Sequence, residues 1–270
     1  MTLLQTIVLA IIQGITELFP ISSVAHAVLT PHLLGWQLDP AFLRENFLPF
    51  VVMLHLGTAV ALLVYFWRDW LGFAGGLVAR ESRVQRRELL LVAVGTIPAA
   101  AIGFLFEHRL RAIFPSPTSA AFFLLLNGVV LYAGEKLRGR GNRDLDELSI
   151  VQAVLIGLAQ SLALVPGFSR SGASMVAGFW AGLTHEASAR FSMLLATPII
   201  AGASIVELPK LLHAPAGLVI TALIGGAVAG VVAFFSVWAL MSWFRKHEVD
   251  AMQPFAIYCW IVGGLVLMLP

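Results

Sequence analysis

The sequence predicts an all-α polytopic membrane protein arranged as an inverted-topology repeat, each half a re-entrant broken helix pair followed by three transmembrane helices. Three observations predict it. The chain of 270 residues is 59% hydrophobic and only 12% charged, about half the charged fraction of a soluble domain. Its apolar runs approach the roughly 20 residues that a spanning helix needs and show none of the ten-residue alternation of a membrane barrel. Polar clusters interrupt the apolar pattern twice, at corresponding places in the two halves. Without water the backbone must satisfy its own hydrogen bonds, which makes helices the spanning element.

Residues 2–19 are apolar but carry Gln13, Thr16 and Glu17, and Pro20-Ile21-Ser22-Ser23-Val24-Ala25-His26 follows before a second apolar piece to about Leu34. Proline breaks a helix, and a serine after it is a good helix start, so this segment reads as two half-helices joined by a polar loop. Phe47–Trp67 reads as a span, Arg68–Arg87 as an arginine-rich loop, Glu88–Phe106 as a span and Glu107–Thr118 as a connector with two prolines. Ser119–Leu137 spans, and the charged loop Arg138–Glu147 divides the halves. The second half opens like the first: Ile150–Val165 carries Gln152 and Gln160, then Pro166-Gly167-Phe168-Ser169-Arg170-Ser171-Gly172-Ala173-Ser174 interrupts it before Val176–Leu183. Three more spans lie near Ala189–Val206, Leu218–Phe244 and Pro254–Leu269. The reading is one membrane domain, with a first repeat at 1–137 (re-entrant loop near 20–26) and a second at 149–270 (re-entrant loop near 166–174). Gly14-Ile15-Thr16-Glu17 and Gly157-Leu158-Ala159-Gln160 align across it, each followed by a proline.

Charge supports the re-entrant reading of the second broken segment. If that segment returns to its own side, the loops at 68–88, 136–148, 183–190 and 245–246 share a face and hold twelve of the seventeen Lys and Arg. Arg44, Arg109, Arg111 and Lys210 lie on the other face, with Arg170 in the loop. The positive-inside rule makes the arginine-rich face cytoplasmic, with both termini outward. Inverted repeats with broken helices bring their loops together near the midplane, which sets Pro20–His26 opposite Pro166–Ser174.

The remaining composition excludes several classes. A net charge of +2 without a basic tail or an aromatic–basic pattern gives no footprint for nucleic acid. Cys259 is the one cysteine, so no intramolecular disulfide and no cysteine metal site can form. Met1-Thr2-Leu3-Leu4-Gln5 lacks the basic region of a cleaved signal peptide and reads as part of the mature chain.

Together the loops supply Gln13, Glu17, Ser22, Ser23 and His26 from one half and Ser169, Arg170, Ser171 and Ser174 from the other. An arginine in the bilayer costs on the order of 2.5–3.5 kcal/mol on insertion scales and is a functional candidate by default. Its fork of donors matches phosphate, and half-helix N-termini suit an anion. Ser23 and His26 are three apart and share a helical face, the arrangement of a hydroxyl activated by an imidazole. Glu17 can orient His26, act as a base, or help hold a divalent cation. Serine and glycine in membrane helices also serve close packing alone, Arg170 can pair structurally with Glu17, and His55 in Leu54-His55-Leu56-Gly57-Thr58 reads as a packing residue. Trp36, Trp67, Trp70 and Trp243 fit an interfacial belt. On these residues a phosphatase and a transporter or flippase are both open readings, with an intramembrane serine hydrolase ranked last.

Gln13-Gly14-Ile15-Thr16-Glu17-Leu18-Phe19-Pro20-Ile21-Ser22-Ser23 followed by His26 resembles the first signature of the undecaprenyl-diphosphate phosphatase (bacitracin-resistance) family. Pro166-Gly167-Phe168-Ser169-Arg170-Ser171-Gly172 resembles its second. His55-Leu56-Gly57-Thr58, Tyr65-Phe66-Trp67-Arg68-Asp69 and Ala196-Thr197-Pro198-Ile199-Ile200 also look like family text, and the similarity covers essentially the whole chain. The resemblance implies hydrolysis of undecaprenyl diphosphate to the monophosphate and phosphate, recycling the carrier for cell-wall synthesis and protecting against bacitracin. It further implies a bacterial inner membrane, a divalent cation (Mg²⁺ or Ca²⁺), a site opening to the periplasm, and a polyprenyl diphosphate lipid as partner; a homo-oligomer is left open. Glu17, Ser23, His26 and Arg170 fall on the family's functional positions, with Gln13 where the family has Glu or Gln. Gln13, Ser22, Gly167, Ser169, Ser171 and Ser174 are the expected substrate-binding residues, and Glu17 with Gln13 the expected cation ligands. The chain departs from the family at Val24 and Ala25, where Thr-Gly is usual, and at Ser174, where threonine is usual. The alternative is a polyprenyl-phosphate flippase or anion transporter.

Overall fold

The structure, a computed structural model, describes residues 1–78, 83–112, 116–137 and 141–269. Among these residues there is no β-strand, and twelve α-helices carry the fold. The first, α1 (Leu3–Thr16), begins at a reciprocal capping box between Thr2 and Gln5. It stops before Pro20, and α2 (Ser23–Leu33) starts from Ser22, whose φ of 67° lies in the left-handed region. A short α3 (Pro40–Glu45), started by Asp39 with proline at its first position, leads into α4 (Phe47–Tyr65). Then come α5 (Trp67–Val78), α6 (Arg83–Ala112) and α7 (Pro117–Lys136), the last capped by Ser116.

The second half also opens on a broken helix pair. α8 (Ile150–Gln160) starts at a capping box of Ser149 and Gln152, runs into a 3-10 turn at Ser161–Leu164 and breaks at Pro166-Gly167. Gly167 has φ +115°, and a Cβ there would run into Phe123 of α7. α9 (Arg170–Trp180) starts from Ser169, and α10 (His185–Leu212), α11 (Ala216–Lys246) and α12 (Gln253–Met268) complete the chain.

Among the described residues five helices are long and apolar enough to cross a bilayer: α4, α6 over Arg83–Phe106, α7, α10 and α11. α12 has 16 residues, a length of roughly 24 Å at 1.5 Å per residue, so the sixth expected span is shorter than the others. Two expectations need correction. Arg68–Arg87 is not a plain loop: α5 occupies its first part, where Asp69 anchors to the half-buried Arg190. Arg190 of α10 donates to Asp69 through Nε at 2.9 Å and to both Glu88 oxygens at 2.9 and 2.7 Å, which ties α5, α6 and α10 together. The connector at 107–118 is also shorter than expected, since α6 continues to Ala112. The remainder of these loops at 79–82, 113–115 and 138–140 lies outside the described residues.

The helices approach one another through small residues, as membrane helices do. α4 packs on α11 where Gly57 meets Gly226 backbone to backbone; a Cβ at Gly57 would overlap the Gly226 carbonyl. α1 also packs on α11, and its counterpart α8 packs on α6. α7 lies along α12, and α4 along α10. Leu63, Val64, Phe104, Leu105, Ile205 and Phe235 are exposed on outer helix faces, the surface a bilayer would cover.

Candidate active site

Both helix breaks open onto one cavity of about 340 Å³. Its polar lining is Thr16, Glu17, Ser22, Ser23, His55, Gln160, Ser169 and Arg170, and the rest is apolar, including Val28 of α2, Phe47 and Val51 of α4 and Ile199 of α10. The N-termini of α2 and α9 therefore face the same space. Each helix leaves N–H groups unsatisfied in its first turn. Ser22 Oγ accepts from Ala25 N at 3.4 Å and Ser169 Oγ from Gly172 N at 3.1 Å. The positive dipole ends and the remaining donors favour an anion between them.

Glu17 is the centre of the cluster. Ser23 Oγ donates to Glu17 Oε2 at 2.6 Å, and Gln13 Nε2 donates to the same oxygen at 3.2 Å. Arg170 Nη2 reaches Glu17 Oε1 at 3.2 Å across 153 residues. His55 Nε2 lies 3.2 Å from Glu17 Oε2 and 3.5 Å from Ser23 Oγ, while its Nδ1 faces the Val51 carbonyl at 2.8 Å. That carbonyl only accepts, so Nδ1 carries a proton. Nε2 is then a donor to the carboxylate when the ring is charged and an acceptor for the Ser23 proton when it is neutral.

Arg170 is held from behind by the Ser192 carbonyl at 3.1 Å. Its Nε is buried without a partner among the described residues, as is Gln160 Oε1. Buried polar groups left unpaired cost about 1–3 kcal/mol each, and two of them beside one cavity point to a ligand.

The loops are fixed to each other by a residue sequence reading passed over. Asn127 of α7, 1% exposed, donates from Nδ2 to the Pro20 carbonyl at 2.9 Å and accepts at Oδ1 from Ser169 N at 2.9 Å. One amide thus satisfies a backbone group from each loop. Ser171 Oγ adds a bond to the Phe19 carbonyl at 3.3 Å. A lone amide inside the apolar run of α7 was the available signal.

Of the residues expected from sequence, Glu17, Ser22, Ser23, Ser169 and Arg170 reach the cavity. Gln13 stands behind Glu17; Ser171 and Ser174 brace α9, Ser174 bonding Ser192 Oγ at 2.7 Å; Gly167 packs on α7. Two assignments change. His26 does not face Ser23: Nδ1 is 2.7 Å from the Ser22 carbonyl and Nε2 2.8 Å from Tyr258 Oη. The ring turns back onto the carbonyl four residues earlier, as His55 does onto Val51. His55 is no packing residue, since it is the imidazole beside Ser23 and Glu17.

The donor set does not fit a resident divalent cation. Among the described residues no three His, Cys, Asp or Glu side chains converge on a metal position. Glu17 is already surrounded by a guanidinium, a hydroxyl, an amide N–H and an imidazole, and Gln13 turns its amide nitrogen to Glu17.

Residues 6–265 match the family described as bacitracin resistance protein BacA. An undecaprenyl-diphosphatase 2 of Oenococcus oeni is 51% identical over 269 residues, covering 99% of this chain and 98% of the relative. An undecaprenyl-diphosphatase of Acidiphilium cryptum is 50% identical, covering 100% and 98%. One of Mycolicibacterium paratuberculosis is 44% identical, covering 98% and 96%.

Proposed function

The chain belongs to the bacitracin resistance protein BacA family, and we infer from its site that it hydrolyses undecaprenyl diphosphate to undecaprenyl phosphate and inorganic phosphate. It is a multi-pass membrane enzyme whose substrate is a lipid diphosphate, and bacitracin resistance follows from the family. The observation that carries the mechanism is the contact of Ser23 with Glu17 at 2.6 Å beside Arg170, in a cavity that receives two helix N-termini.

In the proposed mechanism the terminal phosphate enters between the two N-termini. Arg170, with its spare Nε, and the first-turn N–H groups of α2 and α9 balance the charge that develops on the phosphoryl oxygens. Ser23 Oγ attacks the terminal phosphorus and gives its proton to Glu17 Oε2, with His55 Nε2 sharing it. The bond from that phosphorus to the bridging oxygen breaks, and undecaprenyl phosphate leaves. Water then attacks the phosphoserine phosphorus, the Oγ–P bond breaks, the pair returns its proton to Ser23 Oγ, and the water's protons leave on the inorganic phosphate. His26 acts on this sequence through the Ser22 backbone and not as the base. The isoprenoid chain runs along the apolar wall made by α2, α4 and α10. A divalent cation is proposed to come with the diphosphate, since the protein side offers a single, already paired carboxylate; magnesium commonly binds through substrate phosphates in this way.

The enzyme is proposed to sit in the inner membrane with its cavity open to the periplasm. In support, the cavity draws on the first part of α4 and the later parts of α6 and α10, the ends near Arg44 and Lys210. The Arg190–Asp69–Glu88 group stands at the arginine-rich end.

The test is phosphate release from undecaprenyl diphosphate by purified protein in detergent. A phosphatase works there, whereas a flippase or transporter needs two compartments. Arg170→Ala is expected to lower kcat/KM about 10²–10³-fold, the loss typical of a charge-stabilising donor. An Arg170→Ala protein with intact turnover and affinity would overturn the site assignment.

A further inference from the structure

We propose that Tyr258 is a positioning residue for the reaction, acting through the tautomer of His26 on the backbone that presents Ser23. The inference rests on the reading of Ser23 as the nucleophile. Tyr258 belongs to α12, is 38% exposed and is not part of the cavity lining, so it does not touch the phosphate. Its hydroxyl lies 2.8 Å from His26 Nε2, and the two rings stack at 5.7 Å with an interplanar angle of 16°.

The chain of contacts runs one way. Ser22 holds a φ of 67° and a ψ of 95°, a region serine rarely occupies and that surrounding contacts must enforce. Its carbonyl is held twice by one residue: His26 N donates to it at 3.3 Å and His26 Nδ1 at 2.7 Å. A carbonyl only accepts, so Nδ1 must be protonated. In the neutral imidazole Nε2 is then an acceptor, and it needs a donor. Tyr258 supplies one. Without it, the ring can carry its proton on Nε2 and the Ser22 carbonyl loses its short bond. The turn that sets Ser23 Oγ at 2.6 Å from Glu17 then relaxes. α12 thus controls a nucleophile 235 residues earlier in the chain (258 minus 23) without entering the cavity.

A double-mutant cycle tests this. The full-length protein in detergent is assayed for phosphate release from undecaprenyl diphosphate, with thermal unfolding followed in the same detergent. Tyr258→Phe keeps the ring and removes the donor. It is expected to lower kcat about tenfold, leave KM within twofold, and leave the unfolding temperature unchanged. His26→Asn keeps a donor where Nδ1 sits but has no tautomer to fix. In that background Tyr258→Phe is expected to cost less than twofold. Equal losses in both backgrounds, or no loss in the parent, would overturn the inference. If Tyr258→Phe is destabilised, ¹⁵N spectra of histidine-labelled protein decide. The parent is expected to show His26 protonated at Nδ1 and the variant a mixture; an unchanged tautomer overturns the proposal. A parent protein that releases no phosphate defeats the enzymatic reading, whereas an active parent matched by Tyr258→Phe defeats this inference alone.

Discussion

Ser23 gains its chemistry from groups scattered along the chain, and only part of that set follows from spacing. Glu17 and Ser23 are six apart and meet because the helix breaks between them. A serine and a histidine three apart would share a face on a regular helix. Here His26 bonds the carbonyl four residues back, at Ser22, instead. The imidazole that does face Ser23 is His55, 32 residues away on α4; an ionisable group inside an apolar span was the available signal. His55→Ala is expected to reduce kcat about 10²–10³-fold, within the range for a general acid–base group, with little change in KM. Initial rates of phosphate release across substrate concentration check this. A His55→Ala enzyme at full rate would return the proton to Glu17 alone.

At the scale of elements, the breaks themselves were legible. Pro20 and Pro166-Gly167 interrupt apolar runs, and serine follows each as a helix start. The elements that escaped were those decided by tertiary partners. α5 is helical within an arginine-rich stretch because Asp69 and Glu88 share Arg190. The strut between the loops is a single side chain on α7. Asn127→Leu fills the same space but strands the Pro20 carbonyl and the Ser169 N–H. Each stranded group costs about 1–3 kcal/mol, so a lowered unfolding temperature in detergent is expected. Protonated, Asn127→Asp keeps an acceptor for Ser169 N and an O–H donor for the Pro20 carbonyl. It is expected to retain more stability than Asn127→Leu when the two are compared by thermal unfolding at a pH where the aspartate is protonated.

For the whole molecule, the order of elements was readable: a broken pair, then long helices, twice over. α1 packs on α11 and α8 on α6. The proposed orientation rests on the distribution of Lys and Arg. Cys259 is buried, so single introduced cysteines report the two faces. An impermeant maleimide applied to intact cells is expected to label Arg44→Cys and to label Lys246→Cys only after lysis. The opposite pattern would invert the orientation and turn the cavity to the cytoplasm.

In the proposed mechanism the broken helices of the two halves build one phosphate site, with the nucleophile from the first and the charge clamp from the second. Phosphate release from undecaprenyl diphosphate by purified Ser23→Ala, beside the parent protein in the same detergent, tests it most directly. Ser23→Ala is expected to lower kcat on the order of 10³-fold or more, as when a nucleophile is removed from a site that keeps its other groups, with the fold intact by thermal unfolding. Release at near the parent rate would contradict it.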